Sequence, residues 1–146
     1  MILRLLTPAD YPALYALWTS IPGMGLNDVD DSPEGIARYL ARNPATCFGA
    51  EEDGALVGCI LAGHDGRRGY IYHTAVQPAH QKQGVGHALV QAALTALKSE
   101  DVTKVALVAF RRNERGNAFW EKEGFTLRED LSYRNLSLTE MNRIDT

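Results

Sequence analysis

The chain has 146 residues, of which 45% are hydrophobic and 23% are charged. Its 15 Lys and Arg residues are outnumbered by 18 Asp and Glu residues, and the net charge of -3 has the wrong sign for a protein that mainly grips nucleic acid. No apolar run approaches the roughly 18 residues that a membrane-spanning helix needs. We therefore predict a single domain, residues 1–146, with neither nucleic acid nor a membrane as its partner.

The first elements are predicted to be a short strand and a helix. The run "ILRLL" precedes Thr7, which can cap a helix, and Pro8, which suits the first helical position. Apolar side chains then recur on one helical face between Tyr11 and Trp18. Because Arg4, Pro8 and Asp10 interrupt the apolar segment that a signal peptide requires, we predict a cytoplasmic protein.

A loop and a second helix follow. Ser32 and Pro33 repeat the signal for the start of a helix, and Pro44 ends the helical pattern. The loop before this helix carries three carboxylates, Asp28, Asp30 and Asp31.

Three strands are predicted next. The runs "TCFGAEE" and "ALVGCILAGH" are separated by Asp53-Gly54, which is typical of a tight hairpin turn, and "GHDGRRG" leads into a third strand, "YIYHTAV". Cys47 and Cys59 stand in apolar surroundings without CxxC spacing, so we predict reduced core residues and no metal site.

The rest of the chain begins with a strand–helix–strand unit. "HALVQAALTALKSE" has helical spacing, and "KVALVAF" resembles a strand buried on both faces, parallel to the strand before the helix. A last helix, "RGNAFWEKEG", is predicted to end at Gly124, and "FTLREDLSYRNLSL" to form two short strands. We therefore predict an α/β (α+β) fold with a mixed, mostly antiparallel sheet flanked by helices.

The stretch "QPAHQKQGVGHALV" places two glycines, Gly84 and Gly86, where a strand leads into a helix. The first amides of a helix attract anions when no side chain blocks them. The turn matches neither GxxxxGK[ST] nor GxGxxG, because His87 and Ala88 follow Gly86 and no third glycine is present. The spacing alone is also compatible with a tight strand–helix connection that binds nothing.

Two motifs carry a family resemblance. "AVQPAHQKQGVGHALV" resembles the acyl-CoA signature V-x-P-x-x-[RQ]-x-x-G-x-[GA] of the GNAT superfamily of N-acetyltransferases. Downstream, "NERGNAFWEKEGF" is similar to the pattern N-x-x-A-x-x-[FL]-Y-x-x-x-G-F of the same superfamily. The order of predicted elements agrees with that fold over nearly the whole chain.

This resemblance implies acetyl-CoA as the acyl donor, bound where one parallel strand pair splays apart. The backbone of Thr74, Ala75 and Val76 would pair with the pantetheine arm, and Asn113 would hold the backbone or the pantetheine near the gap. The amides of the glycine turn would cradle the pyrophosphate, with Lys82 either contacting phosphate or remaining an ordinary surface lysine. The remaining implied cofactor-binding residues are Gln81, Gln83, Gly84, Val85, Gly86, His87, Phe119 and Trp120.

Direct acetyl transfer to an amine needs a base and a route for the thiolate's proton. By position, His73 is the leading base, although strand alternation also allows it to face away from the substrate; Glu51, Glu52, His64 and Asp65 are alternatives. Many relatives carry a tyrosine at the position of Trp120, whose indole N–H cannot act as an acid. Tyr133, Tyr72 or water is predicted to substitute, and Trp120 is predicted to lie beside CoA as an aromatic wall.

The acceptor is left open by the sequence. Asp28, Asp30 and Asp31 would attract a cationic amine, whereas Arg67 and Arg68 would suit an acidic substrate. The resemblance implies an N-acetyltransferase acting on a small-molecule, peptide or protein amine, and a homodimer is common in the superfamily. The alternative, suggested by Trp120, is a CoA-binding sensor or interaction module with the same fold and reduced turnover.

Overall fold

The computed structural model describes residues 1–144; the last two residues of the predicted domain lie outside the described part. Five strands form one sheet in the order β1-β2-β3-β4-β5, in which neighbours are antiparallel except for the parallel pair β4 and β5. The strands are β1 (Ile2–Leu5), β2 (Phe48–Glu52), β3 (Ala55–His64), β4 (Gly69–Val76) and β5 (Val105–Leu107).

Four α-helices cover the two faces of this sheet. They are α1 (Tyr11–Thr19), α2 (Pro33–Arg42), α3 (Val85–Ser99) and α4 (Glu114–Lys122), and short 3-10 turns occupy Pro8–Asp10 and Pro78–His80. The buried side chains of α1 and α2 share one apolar cluster with Cys59 and Ala75. Those of α3 share a second cluster with Ile60 and Ile71, on the opposite face. The predicted fold class is confirmed.

The local signals in the first half of the chain form the expected structures. Ser32 caps α2, since its hydroxyl accepts a hydrogen bond of 3.0 Å from the amide of Gly35. The turn between β2 and β3 consists of Asp53 and Gly54, both with positive φ (51° and 79°), as a type I′ hairpin turn requires. Cys47 and Cys59 are buried free thiols, as predicted.

Helix α4 ends in a Schellman motif at the predicted glycine. Gly124 has a φ of 98° and donates to the carbonyl of Glu121, while Phe125 donates to the carbonyl of Trp120. The rings of Trp120 and Phe125 then contact each other, which is the apolar contact that accompanies this motif.

The C-terminal part of the sheet differs from the prediction. No strand is assigned after Leu107 within residues 1–144, so the two strands predicted in residues 125–138 are wrong. Without them β5 is an edge strand, and Val108 is 55% exposed, which corrects the prediction of burial on both faces. Alternating apolar residues favour a strand, but a strand forms only where a neighbouring edge accepts its hydrogen bonds. Exposed leucines remain at positions 127, 131, 136 and 138.

Within residues 1–144 no helix has both the length and the apolar character needed to cross a membrane.

Candidate functional site

A β-bulge in β4 shapes the centre of the sheet. Ile60 pairs with Thr74 and Ala62 pairs with Ile71, so two steps along β3 correspond to three along β4. The extra residue lies between Ile71 and Thr74. Because side chains alternate along a regular strand, such an insertion changes the face to which the following residues point.

The bulge brings two consecutive side chains to the face covered by α1 and α2. The ring of Tyr72 lies edge-on to Tyr39 of α2, with centroids 5.6 Å apart, and the ring of His73 lies edge-on to Trp18 of α1, 4.9 Å away. His73 therefore lies on the α1/α2 face of the sheet.

His73 also contacts a buried carboxylate. Its Nε2 lies 2.6 Å from Oδ1 of Asp31, whose residue is only 4% exposed, and the His73 side chain is 14% exposed. Oδ2 of the same carboxylate accepts from the amide of Asn27 at 2.9 Å, and the hydroxyl of Tyr11 donates to the Asp31 carbonyl. Because an ionised carboxylate only accepts hydrogen bonds, Nε2 must carry the hydrogen. In neutral His73 the free lone pair is then on Nδ1.

The edge of β4 is open beside this histidine. Parallel pairing with β5 ends at Ile71 and Leu107, whereas β4 continues to Val76. In residues 1–144, the β5 side of the stretch Thr74–Val76 has no strand neighbour. The backbone of this stretch is therefore available to a ligand that pairs as an added strand would.

The glycine turn follows at the end of this open edge. The side chain of Gln81 folds back and donates from Nε2 to the carbonyl of Val76 at 3.0 Å. Lys82 and Gly84 both have positive φ, 62° and 84°. Within the described chain, the backbone amides of residues 82–87 donate no hydrogen bond to the protein, as expected for a loop and the first turn of a helix.

The two glycines of the turn have different environments. A Cβ at Gly84 would meet no atom within 4 Å, so its importance lies in the left-handed backbone. A Cβ at Gly86 would lie 3.2 Å from the ring of Phe119. Gly86 thus allows α4 to approach α3, and Val85 between them is buried in the core.

Several residues of the second motif hold the protein together. Oδ1 of Asn113 caps α4 by accepting from the amide of Gly116 at 2.9 Å. The ring of Trp120 lies edge-on to Phe119 and Phe125, at 5.0 and 5.2 Å, so its observed neighbours are protein side chains.

At the start of α3, two side chains from the predicted cofactor site already have protein partners. Nδ1 of His87 lies 2.9 Å from the Glu123 carboxylate. Nε2 of Gln83 donates to the carbonyl of Ala79.

The alternative bases all have other partners. Glu51 pairs with Arg4, and Glu52 with the N-terminal amine. His64 pairs with Glu100. His64 lies far from Thr74 along the sheet, because its partner in β4 is Gly69, the first residue of that strand. Asp65 accepts from two turn amides, which lower its pKa. Of these candidates, His73 alone lies next to Thr74 in β4.

The three loop aspartates do not act as one group. Asp28 binds Asn142, whose backbone and side-chain donors lower the Asp28 pKa. Asp31 binds His73, as described above. Asp30 accepts from the side chain of Asn27 at 3.1 Å and takes part in none of the ion pairs of residues 1–144.

A group of tyrosines lies beside His73, and most of it was missed by the sequence reasoning. The rings of Tyr70 and Tyr72 have centroids 4.7 Å apart. Burial raises the pKa of Tyr70 to about 12, and the nearby hydroxyls of Tyr133 and Tyr72 add to the shift. The predicted acid Tyr133 is 66% exposed and also adds to the pKa of Tyr72, which burial raises first. Tyr39 and Tyr70 could be found only through the bulge and the position of α2.

Residues 1–144 contain no group of three or more His, Cys, Asp or Glu arranged to hold a metal ion.

Known proteins resemble this arrangement in sequence and in fold. The model of the Acetyltransferase (GNAT) family matches residues 11–125. An acetyltransferase of Pectobacterium atrosepticum is 28% identical over 122 residues, covering 84% of this chain and 85% of its own length. An acetyltransferase of Sodalis glossinidius is 26% identical over 131 residues, covering 90% and 91%.

Solved structures share the fold. Rv2747 from Mycobacterium tuberculosis, in complex with CoA and NLQ, has a TM-score of 0.71 at 24% identity, covering 88% of this chain and 74% of its own. The PaiA N-acetyltransferase from Thermoplasma acidophilum, in complex with coenzyme A, has a TM-score of 0.72 at 18% identity, covering 88% and 92%.

Proposed function

Because the chain belongs to the acetyltransferase (GNAT) family, we propose that it is an acetyl-CoA-dependent N-acetyltransferase that acts on a primary amine of a small molecule, peptide or protein. The observation that carries this proposal is the open β4 edge, which leads directly into a turn with unpaired backbone amides. Such an arrangement suits an extended ligand with an anionic end. The coenzyme A complexes of the two structural neighbours support the same reading.

In this proposal the chain holds the donor mainly through its backbone. Thr74, Ala75 and Val76 pair with the pantetheine arm, and the left-handed Gly84 leaves space for the pyrophosphate. The side chains of Gln83 and His87 bond to protein, so these two residues contribute backbone amides. Gln81 instead supports the turn, because its side chain donates to the carbonyl of Val76 and its backbone amide donates to the carbonyl of Pro78. Lys82 adds a charge from the surface, Val85 and Gly86 position the helix, and Asn113, Phe119 and Trp120 support α4 beside it.

The proposed reaction is direct transfer. His73 takes a proton from the acceptor ammonium through Nδ1, directly or through a water molecule, because Nε2 is bonded to Asp31. The free amine attacks the thioester carbonyl, whose oxygen is stabilised by a backbone N–H near Thr74. The C–N bond forms and the C–S bond breaks. The second amine proton passes through water to replace the proton that the leaving thiolate receives, and His73 releases the first proton to solvent.

The departing sulfur needs little assistance. A thiol with a pKa of about 8.5 leaves readily as a thiolate. We assign Tyr133 as the proton donor to that thiolate. Support comes from the pKa of Tyr72, the residue before His73, which burial raises and Tyr133 raises further. Trp120 lies between two phenylalanine rings and supplies no acid.

Acetyl transfer and simple binding are separated by one pair of measurements. Release of free thiol from acetyl-CoA is followed against amines, amino acids and N-terminal peptides, and CoA binding is measured by calorimetry. We expect amine-dependent release by wild type and strong loss with Gly84→Glu, which puts a charge and a side chain at a left-handed position facing the phosphates. Tight CoA binding with no release on any amine would instead favour the CoA-binding sensor or interaction module.

Three wider statements belong to this proposal. Residues 1–146 form one N-acetyltransferase domain, supported by the family match over residues 11–125; limited proteolysis giving two stable fragments would contradict it. The protein is cytoplasmic, supported by two free thiols, and cell fractionation tests this. The protein forms a homodimer, supported by the exposed leucines after α4 and the open edge of β5.

A further inference from the structure

We propose that the acceptor amine carries a second cationic group, which binds on a patch formed by Tyr70 and Tyr72 beside Asp30. This inference deepens the proposed function and rests on it for the identity of the reacting group. It concerns the opposite end of the acceptor, where the structure supplies aromatic faces and one negative charge.

The tyrosine patch (Tyr70 and Tyr72) is accessible from solvent. Tyr72 is 53% exposed, and its ring is held from two sides by Tyr70, at 4.7 Å, and by Tyr39, at 5.6 Å and nearly perpendicular. Aromatic faces attract ammonium groups, and the attraction strengthens as the site is desolvated.

The charges around the patch favour a cation. Asp30 directly precedes Asp31, whose carboxylate binds His73, the residue next to Tyr72. In agreement, the pKa of Tyr72 is raised by burial and further by Tyr133 and Asp30. Asp28 and Asp31 are occupied by Asn142 and His73, whereas Asp30 has no ion-pair partner in residues 1–144. A ligand ammonium would supply that partner.

The patch also lies next to the proposed base. Tyr72 and His73 are consecutive, and the bulge turns both to the α1/α2 face. An acceptor lying on Tyr72 can therefore extend along β4 towards His73 and Thr74. A short flexible chain between two amines fits this geometry.

The opposite choice, an acidic acceptor at the arginines, fits less well. Arg67 and Arg68 lie in the turn before Gly69, at the end of β4 away from Thr74. That turn is bound to Asp65, and Arg68 reaches towards Thr103 instead of towards the bulge.

The test compares three acceptors of equal chain length: putrescine, butylamine and γ-aminobutyrate, which end in an ammonium, a methyl and a carboxylate. We compare kcat/KM per amino group, because putrescine has two equivalent amines. For wild type we expect this value to favour putrescine over butylamine by roughly three- to thirtyfold, the range of one cation–π contact, with γ-aminobutyrate the poorest. The ratio between two acceptors is the readout, because a general loss of activity cancels in it.

Variants of the patch test whether it causes the preference for putrescine. Tyr72→Leu and Asp30→Asn should bring the putrescine/butylamine ratio close to one, whereas Tyr72→Phe, which keeps an aromatic face, should preserve most of it. Tyr15→Leu is the matched control and should leave the ratio unchanged, because Tyr15 of α1 is a half-buried tyrosine whose ring contacts Tyr11 and not the patch. A ratio that starts near one, or that survives Tyr72→Leu, overturns the proposal.

Calorimetric titration of the same three amines, with CoA present, separates this inference from the proposed function. Selective putrescine binding that is lost in Tyr72→Leu, without any thiol release, would support the patch and overturn acetyl transfer. Thiol release with equal rates for putrescine and butylamine would support transfer and overturn the patch.

Discussion

At the scale of single residues, the pair of His73 and Asp31 decides what the site can do. Asp31 is a buried carboxylate whose two oxygens have separate partners. Oδ1 bonds to His73 and Oδ2 accepts from the amide of Asn27, so the orientation of the carboxylate is fixed. Trp18 packs against the imidazole ring and limits its rotation. Asp31 was predicted to attract substrate; from these contacts we propose that it positions His73.

Replacing this carboxylate should damage catalysis more than binding. In Asp31→Asn an amide can either donate or accept, so the tautomer with a free Nδ1 is no longer enforced. In Asp31→Asn we expect kcat to fall roughly tenfold or more. In His73→Ala we expect kcat to fall roughly a hundredfold or more, which is the scale of general base catalysis. Steady-state kinetics and calorimetric CoA affinity measure the two effects separately, with Asp28→Asn as the matched control. A loss confined to CoA affinity would argue against the positioning role.

The two buried thiols give a pH-dependent prediction. Burial raises the pKa of Cys47 to about 11 and of Cys59 to about 12, from an ordinary value of 9.0. The unfolded chain therefore loses these protons first, and their contribution to stability, fully present below pH 9, is lost as the pH rises towards 11 and 12. The free energy of unfolding from urea titrations should fall over that range.

The same burial should protect both thiols chemically. At pH 8 the native protein should react very slowly with an aromatic disulfide reagent, and both thiols should react at once in denaturing urea. Rapid reaction of the folded protein would show that the two cysteines are not enclosed in the core. Slow reaction also keeps the background low in a thiol-release assay.

At the scale of elements, the turn between β4 and α3 assigns different tasks to two glycines of one motif. Gly84 adopts a left-handed conformation with open space around it, and Gly86 lies against Phe119 of α4. The motif therefore joins ligand access and helix packing within one turn of chain.

Alanine substitutions should separate these tasks. Gly84→Ala forces a side chain into the left-handed region and should weaken CoA binding and cost roughly 1 kcal/mol of stability. Gly86→Ala places a Cβ 3.2 Å from the Phe119 ring, so it should lower the Tm with a smaller change in CoA affinity.

A double-mutant cycle checks the packing argument. Phe119→Leu by itself should lower the free energy of unfolding. The double variant Gly86→Ala/Phe119→Leu should be less destabilised than the sum of the two single changes, because the smaller Leu side chain accommodates the new methyl group. Strict additivity would mean that Gly86 and Phe119 are not coupled.

At the scale of the whole molecule, the segment between α4 and residue 142 is the least enclosed part of residues 1–144. It is anchored at its far end, where Asn142 binds Asp28 and Ile144 donates to the carbonyl of Leu26. Between these anchors, Leu136 and Leu138 are 83% and 93% exposed. Exposed leucines in this number favour contact with a second chain.

Hydrogen exchange should detect such a contact. In dilute protein, amides of residues 126–141 should exchange rapidly, and protection should appear as the concentration rises if the segment pairs with the β5 edge of a second copy. The double variant Leu136→Ser/Leu138→Ser should then shift the mass measured by light scattering from dimer to monomer. Equal exchange at all concentrations, with a monomer mass, would contradict the homodimer.

The sequence by itself determined the local elements and the family. Helix caps such as Ser32, the Asp53-Gly54 turn and the Gly124 helix end depend on neighbouring residues only, so short stretches were enough to predict them. The spacing of Val76, Pro78, Gln81, Gly84 and Gly86 likewise indicated the acyl-CoA motif, and the family match confirms that resemblance.

Only the tertiary structure decided which side chains meet. Asp31 and His73 are 42 positions apart, and their contact depends on a bulge that no alternation pattern reveals. The same bulge brings Tyr72 to Tyr39. The strands predicted after Gly124 failed for a related reason, because a strand depends on a partner edge elsewhere in the fold, which residue patterns do not specify.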